Sequence, residues 1–353
     1  MSVLLFFLMD VFRAEACAIA PRLGDQVQAL QEDVIVTWDG TTQHLIRQAY
    51  FKEEGHDFGF IVPTPSLPTL AERKASTNPM SVLHEQTRAK EIFESYTAYN
   101  FTPVLRMFFA RPQGVTSTYN SHDRIEIYTQ KVAGMKATVL QPDSPEALWQ
   151  WMEENEYPAS PSLQKWAQHY IEKGWYLTAF QMSNDNRDAR DDYSHLKSSL
   201  VDISFETDKP FFPYREPAPI MMESHLEPPP TLRRTRRFNL YFISSFQPKT
   251  TLGEEGDMWM SPYFSAEYPL DGFEETGLED ILPEKAWVTR YDDRLVERPQ
   301  KDLYFAPAAR QDEIQPPPIY RQKKEEVIIP VDIATVAAVV VGVLIWNQGQ
   351  SSE

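Results

Sequence analysis

The sequence predicts an α+β fold, mostly antiparallel sheet with a helical hairpin insertion, followed by a C-terminal transmembrane helix. Three observations lead to this prediction: short β-rich runs bounded by turn signals, two consecutive helices that each begin with Ser-Pro, and a long apolar stretch from Val327 to Trp346. The chain has 28 prolines and only 13 glycines. Because proline cannot donate to a helix or sheet ladder, many short elements joined by stiff loops are expected.

The strands are predicted from β-rich runs and from the turn residues between them. Val34-Ile35-Val36 is entirely β-branched, and Asp39-Gly40 is a hairpin signal before the alternating run His44 to Phe51. Phe58 to Val62 is an apolar strand that Pro63 ends. Further strands are expected at Arg124–Thr129, Ala137–Leu140, Trp175–Met182, Leu200–Glu206, Phe238–Phe246 and Ala286–Tyr291.

The helices are predicted from their N-terminal caps. Asn78-Pro79 begins a helix that continues to about Tyr99, because a capping side chain before proline at the first helical position is typical of a helix start. Ser144-Pro145 and Ser160-Pro161 begin the two helices of the hairpin, and Gly174 ends the second. The inward faces are expected to carry Leu148, Trp149, Met152, Leu163, Trp166, Tyr170 and Ile171.

Residues 1–16 resemble a signal peptide. Val3 to Met9 is an unbroken apolar run, too short to span a bilayer, and Ala14-Glu15-Ala16 after it is a cleavage pattern. No basic residue precedes the run and Asp10 follows it, which a truncated start would explain. Cleavage would leave Cys17 first and open to lipidation. The alternative is a buried N-terminal strand or helix of a cytosolic protein.

The C-terminal residues predict a tether. Residues 311–326 form a proline-rich spacer, 327–346 a transmembrane helix and 347–353 a tail. A buried core helix is the alternative, but Ile333 to Trp346 contains no charge and no polar face. Basic residues precede this segment and none follow it, so the orientation of the helix stays open. Residues 17–310 form the extracytoplasmic domain, with a candidate lobe boundary at the proline-rich stretch 215–235.

Charge and cysteine content exclude several classes of protein. The net charge of −17 argues against nucleic-acid binding, because phosphate contacts need a basic face. A single cysteine permits no intrachain disulfide and no cysteine-based zinc site. A cysteine-poor mature chain suits an oxidising compartment.

The sequence offers no constellation that predicts catalysis. It has no glycine-rich phosphate loop, G-x-S-x-G elbow or H-E-x-x-H motif. The acidic stretch Asp185 to Asp192 lacks the glycine and spacing of a calcium loop. The basic run Arg233 to Arg237 can dock an acidic partner or the acidic 253–280 stretch. We predict no catalytic, cofactor-binding or metal-ligating residue, although an imidazole lies beside a carboxylate at His56-Asp57, His84-Glu85 and His122-Asp123.

Several stretches resemble a family of uncharacterised bacterial domains. They are Ala16-Cys17, the strand exit Phe58 to Pro68, the segment Ser144 to Met182, and the strand Leu200 to Pro213 with its Lys-Pro-Phe-Phe-Pro-Tyr end. The resemblance implies a protein with a signal peptide, one extracytoplasmic α+β domain and a C-terminal membrane anchor. The resemblance would cover most of residues 16–346, and it implies no activity.

These observations favour a membrane-anchored extracytoplasmic module of the cell envelope that binds a partner or serves structure. Its expected partners are the membrane, through Val327 to Trp346, and a protein of the envelope, with no nucleic acid. One alternative is an envelope hydrolase with a site assembled from dispersed Asp, Glu and His residues. The other is a soluble, acidic cytosolic protein.

Overall fold

The computed structural model describes residues 18–20, 26–54, 58–102, 129–155, 157, 160–182, 196–197, 200–217, 237–295 and 298–330. These residues form a mixed α+β structure of strands and three α-helices, in mostly antiparallel sheets, which confirms the predicted class. The helices are α1 (Pro79–Thr87), α2 (Pro145–Glu154) and α3 (Pro161–Ile171).

The strands in chain order are β1 (Ala18–Ala20), β2 (Gln26–Trp38), β3 (Thr42–Glu54), β4 (Phe58–Thr64), β5 (Thr69–Glu72), β6 (Glu91–Thr102), β7 (Thr129–Val132), β8 (Met135–Leu140), β9 (Tyr176–Met182), β10 (Leu196–Lys197), β11 (Val201–Glu206), β12 (Phe211–Phe212), β13 (Arg237–Ser244), β14 (Pro248–Leu252), β15 (Phe264–Tyr268), β16 (Ala286–Asp293), β17 (Leu303–Pro307) and β18 (Ile319–Pro330). They belong to two compact units. The first is Met1–Arg88 with Tyr119–Gln315, and the second is Ala89–Thr118 with Pro316–Glu353.

An eight-stranded sheet dominates the first unit. Its strand order is β15-β16-β13-β2-β3-β11-β5, with β10 also beside β3. The β2–β3 hairpin forms where Asp39-Gly40 predicted it: the Asp39 carboxylate accepts from the backbone N–H groups of Thr41 and Thr42, and Gly40 has φ +116°. β13 pairs with β2 in parallel, whereas the other described pairs of this sheet are antiparallel.

Two smaller sheets cover one face of the large sheet. One has the order β1-β4-β9-β8-β7, and the other has the order β12-β17-β14. The core between the large sheet and these two sheets is aromatic and aliphatic. In it Phe60 stacks on Phe180, and Phe242 stacks on Phe305. Burial of this large apolar area is the main favourable contribution to folding of the unit.

Helices cover the two outer faces of these sheets. The predicted hairpin, α2 and α3, packs Leu148, Trp166 and Tyr170 against Leu177 and Ala179 of β9. The Ser144 and Ser160 hydroxyls accept from the N–H groups of Ala147 and Leu163, as N-caps do. Gly174 follows α3 with φ +69°, which confirms the predicted end of that helix.

On the other side of the large sheet, α1 packs Met80 and Leu83 against Ile35, Ile46 and Tyr241. Asn78 caps this helix through its Oδ1, which accepts from the Met80 N–H. The helix ends at Thr87, and Arg88 is extended with φ −73° and ψ 158°. α1 therefore forms a short lid on the large sheet, and a four-layer arrangement of helix, sheet, sheet and helices results.

The prediction of one helix from Asn78 to Tyr99 is wrong. Residues Glu91–Thr102 are strand β6, which pairs in parallel with β18 in the second unit. The stretch EIFESYTAYNFT is rich in β-branched and aromatic residues, which favour a pleated strand. Leu83 belongs to α1, whereas Ile92, Phe93 and Tyr96 belong to β6.

The C-terminal part of the chain also differs from its prediction. Ile319–Pro330 is strand β18, so the end of the predicted spacer and the first residues of the predicted transmembrane segment are paired strand. Val327, Ile328 and Ile329 are β-branched and apolar, so they suit a strand as well as a membrane-spanning helix.

Within the part of the chain that the structure describes, no helix combines the length and apolarity needed to cross a membrane. Residues 331–346 lie outside the described residues, as do 1–17 and the candidate boundary 218–235.

Asn78→Ala is expected to lower the free energy of unfolding more than Ser144→Ala. Both changes remove a helix cap, which contributes about 1 kcal/mol. Asn78 also donates from Nδ2 to Gln48 Oε1 on β3 at 3.0 Å, so its loss removes a second hydrogen bond of about 1 kcal/mol. Denaturant unfolding of the two variants measures the difference. Equal losses would show that the bond to Gln48 contributes nothing.

Gly59→Ala is expected to destabilise the protein by about 1–3 kcal/mol through overpacking. A Cβ at this position would lie 2.5 Å from Tyr157 Cε1 and 3.0 Å from the Phe180 carbonyl oxygen. Thermal unfolding of Gly59→Ala, Tyr157→Leu and the double variant measures the coupling. We expect Tyr157→Leu to offset part of the Gly59→Ala loss, and strictly additive losses would contradict the steric explanation.

Candidate functional site

A cleft of about 150 Å³ lies where β13 begins and β16 ends, beside α1. Its polar lining contains three arginines and two aspartates. Arg237 and Asn239 come from β13, and His84 comes from α1. The complete lining is His84, Arg237, Asn239, Arg290, Asp292, Asp293 and Arg294.

The backbone register explains why these residues meet. Asn239 pairs with Asp292, and Phe238 pairs with Asp293, in the antiparallel ladder between β13 and β16. Side chains two residues apart on a strand share a face. Arg290 and Asp292 therefore share the face of β16 that carries α1, and Arg237 and Asn239 share the same face on β13. Arg294 follows directly after the end of β16 and also lines the cleft.

Arg290 is fixed at the floor of the cleft. Its Nε and Nη2 donate to the two carboxylate oxygens of Asp292 at 2.5 and 2.9 Å, a bidentate pair. Its Nη1 donates to Thr87 Oγ1 at 3.2 Å, and its guanidinium carbon lies 4.8 Å from the centre of the Tyr263 ring. Only 5% of Arg290 is exposed. The pair with Asp292 is thus held rigid, and its two charges cancel.

Asn239 is fixed in the same way. Its Nδ2 donates to Asp33 Oδ1 at 2.6 Å, across the parallel pair of β13 and β2. Asp33 is 6% exposed, so this bond lies largely out of water. This hydrogen bond fixes the orientation of the Asn239 side chain, which forms one side of the cleft.

The carboxylate of Asp293 is paired with residues that do not line the cleft. Its Oδ2 accepts from the Tyr214 hydroxyl at 2.8 Å and from Arg298 Nε at 3.3 Å. Arg298 also pairs with Glu216 at 3.0 Å and lies between the rings of Tyr214 and Phe238. Burial raises the pKa of the Tyr214 hydroxyl well above its ordinary value, so this hydroxyl remains a donor to Asp293.

Arg237 and Arg294 are left with unbalanced charge. Both are exposed, and neither forms a hydrogen bond or ion pair within the described ranges. They occupy the position next to the Phe238–Asp293 pair on neighbouring strands. The cleft therefore presents two positive charges above a floor whose own charges are paired.

Other buried charges of the described chain serve structure. Asp202, 2% exposed, accepts from Arg73 Nε at 2.8 Å and contacts His44 Nδ1 at 3.0 Å. Arg73 in turn donates to Asp280 at 2.5 Å. Arg73 and His44 thus occupy the Asp202 carboxylate, and removal of one partner would leave a buried charge less well compensated.

Asp302 forms a second buried polar cluster. Its Oδ1 accepts from the Tyr170 hydroxyl at 2.8 Å and from the Arg215 backbone N–H at 3.1 Å. Burial raises the pKa of this carboxyl, while these two hydrogen bonds and the nearby positive charges act in the opposite direction. Tyr170 and Trp166 are buried, so they are core residues and not the wall of an open groove.

Sequence reasoning located only part of the cleft. Of the basic run Arg233 to Arg237, the described residue Arg237 lines it, and of the three His–carboxylate neighbours, His84 does. His56-Asp57, His122-Asp123 and the acidic stretch 185–192 lie outside the described residues. Among the residues that are described, no three His, Cys, Asp or Glu side chains are grouped as a metal site requires.

The arginines of β16 were missed. The signal was present in Arg-Tyr-Asp-Asp-Arg at 290–294, where the alternation of a strand puts Arg290, Asp292 and Arg294 on one face. The predicted strand ends at Tyr291, so it leaves out Asp292 and Arg294.

Comparison with known proteins identifies a family. The model of DUF2330, uncharacterized proteins conserved in bacteria, matches residues 12–219. None of the curated proteins matches the chain. Among solved structures, the crystal structure of baculovirus P35 matches with 8% identity and a TM-score of 0.32, covering 83% of this chain and 97% of that chain. So low a TM-score supports no conclusion about fold or function. The cleft arginines lie beyond the residues matched by the family model.

Asp302→Asn is expected to change the pH dependence of stability. Because the folded pKa is raised above the ordinary 3.8, the ionised carboxyl destabilises the fold at neutral pH, and this penalty is relieved as the pH falls towards 3.8. Wild type should therefore gain stability relative to Asp302→Asn as the pH falls from 7 to 4.

Urea unfolding at a series of pH values measures this difference. Asp257→Asn is the matched control, because it removes the same charge from an exposed position. Parallel pH profiles for wild type and Asp302→Asn would contradict the assignment.

Proposed function

This chain belongs to the DUF2330 family of uncharacterized proteins conserved in bacteria, and we propose that this member is an exported module of the cell envelope that binds an anionic partner. The observation that carries the binding role is the pair Arg237 and Arg294, which bring uncompensated positive charge to a preformed cleft. In a chain of net charge −17, such a local reversal of sign needs a reason.

The fixed pairs around the cleft favour binding over catalysis. A general acid or base must be free to exchange a proton with substrate. Asp292 is engaged by Arg290 through both oxygens, and Asp293 is engaged by Tyr214 and Arg298. The cleft thus offers rigid donors and charges, which suit recognition of a ligand.

Export is proposed from the ends of the chain. The apolar run Val3 to Met9 with Ala14-Glu15-Ala16 supports a cleaved signal. The uncharged run Ile333 to Trp346, which follows β18, supports a membrane tether. The proposed location is therefore the cell envelope, with the main domain outside the cytoplasm. A single cysteine is compatible with that oxidising compartment.

Cell fractionation of the epitope-tagged full chain tests this location. We expect recovery in the membrane fraction, and digestion by protease added outside intact spheroplasts. A cytoplasmic protein expressed in the same cells serves as the control for lysis. Recovery in the soluble cytosol with an intact N-terminus would refute export and anchoring together.

Topology reporters refine the same test. A reporter active only outside the cytoplasm is fused before Gln311 and, in a second strain, after Glu353. Activity at the first point and not the second is the result expected of a membrane-spanning tether between them. Activity at both points would contradict a tether that crosses the membrane.

A further inference from the structure

We propose that the cleft binds a single small oxyanion, the phosphate or carboxylate group of a ligand, between Arg237 and Arg294. This inference rests on the proposed function and gives its ligand a chemical class. Guanidinium groups bind these planar or tetrahedral oxyanions by paired N–H donors, which makes arginine the residue suited to such sites.

The two arginines give the cleft an electrostatic cost that a bound anion removes. Arg237 precedes Phe238, Arg294 follows Asp293, and Phe238 and Asp293 are paired between β13 and β16. Both arginines line one cleft of about 150 Å³, and like charges that share so small a space repel. An oxyanion between the two guanidinium groups converts that repulsion into two attractions.

The floor adds donors without adding negative charge. Three of the N–H bonds of Arg290 are used, two towards Asp292 and one towards Thr87. An arginine side chain has about five such donors, so N–H groups of this buried cation remain for a ligand. His84 of α1 lines another wall of the cleft.

The size of the cleft limits what enters it. About 150 Å³ is well below the roughly 300–1,000 Å³ of sites that enclose a whole organic ligand. A phosphate or carboxylate group with its first waters fits this space. The remainder of a larger ligand would project into solvent. A free ion and the same group on a larger ligand would therefore make the same contacts with the cleft.

Isothermal titration of the full chain tests the proposal, with inorganic phosphate and acetate as probes and chloride keeping the ionic strength constant. We expect saturable binding of phosphate or acetate. Loss of either arginine removes a charge-assisted contact, so Arg237→Ala and Arg294→Ala should each weaken binding about tenfold. The double variant should abolish measurable binding.

Lys249→Ala/Arg310→Ala is the matched control. Both residues are exposed and lie outside the cleft lining, so this variant loses the same two charges elsewhere. Its affinity should stay within about twofold of wild type, because exposed charges at a distance are screened by salt. Equal weakening in both double variants would overturn the proposal, since it would show a diffuse charge effect.

Thermal unfolding with and without phosphate provides a second measurement. Phosphate should raise the Tm of wild type and of the control variant, but not that of Arg237→Ala/Arg294→Ala, which should fold as well as wild type. Binding of neither probe, with cell fractionation still showing export, would overturn this inference and leave the proposed location standing. Binding of phosphate by a protein recovered in the cytosol would overturn the proposed location and support the oxyanion site.

Discussion

Consecutive residues of β2 contribute to two different hydrophobic cores. Val34 and Val36 pack among the residues between the sheets, whereas Ile35 packs under α1, and all three are fully buried. The large sheet is therefore enclosed on both faces. Each neighbouring layer depends on this strand, because the two smaller sheets contact one of its faces and α1 contacts the other.

Enclosure of both faces imposes a rule on charged side chains in the sheet. An unpaired charge there would lose its hydration without compensation. Arg47 pairs with Glu32, Asp202 contacts Arg73 and His44, and Asp293 accepts from Arg298. Arg237 and Arg294 lie where the sheet reaches solvent, so hydration compensates their charges and the rule for buried charges does not apply to them.

The features that sequence predicted are those set by local chemistry. The β2–β3 turn, the three N-caps and the glycine after α3 each depend on a few adjacent residues, and each was located correctly. The helix expected up to Tyr99 failed because α1 ends at Thr87 and strand β6 begins at Glu91. Its second half is strand because it pairs with a distant segment, and no local pattern reports such a partner.

The cleft was only partly predictable for the same reason. Arg237 belongs to a basic run that is visible in the sequence, whereas its position beside Arg294 depends on the register between β13 and β16. The parallel pairing of β13 with β2 brings Asn239 to Asp33, two residues separated by most of the chain. Contacts of this kind are set by the whole fold, and the composition around each residue does not reveal them.

The pairing of β6 with β18 has a consequence for biosynthesis. More than two hundred residues separate the two strands, and most of the first unit is encoded between them. At roughly 5–20 residues per second, a ribosome needs at least about ten seconds to deliver the second strand after the first. During that interval β6 emerges without its partner, with β-prone aromatic residues along its length. Chaperone protection of a nascent strand is thus most needed early in synthesis, long before the chain that completes the pair exists.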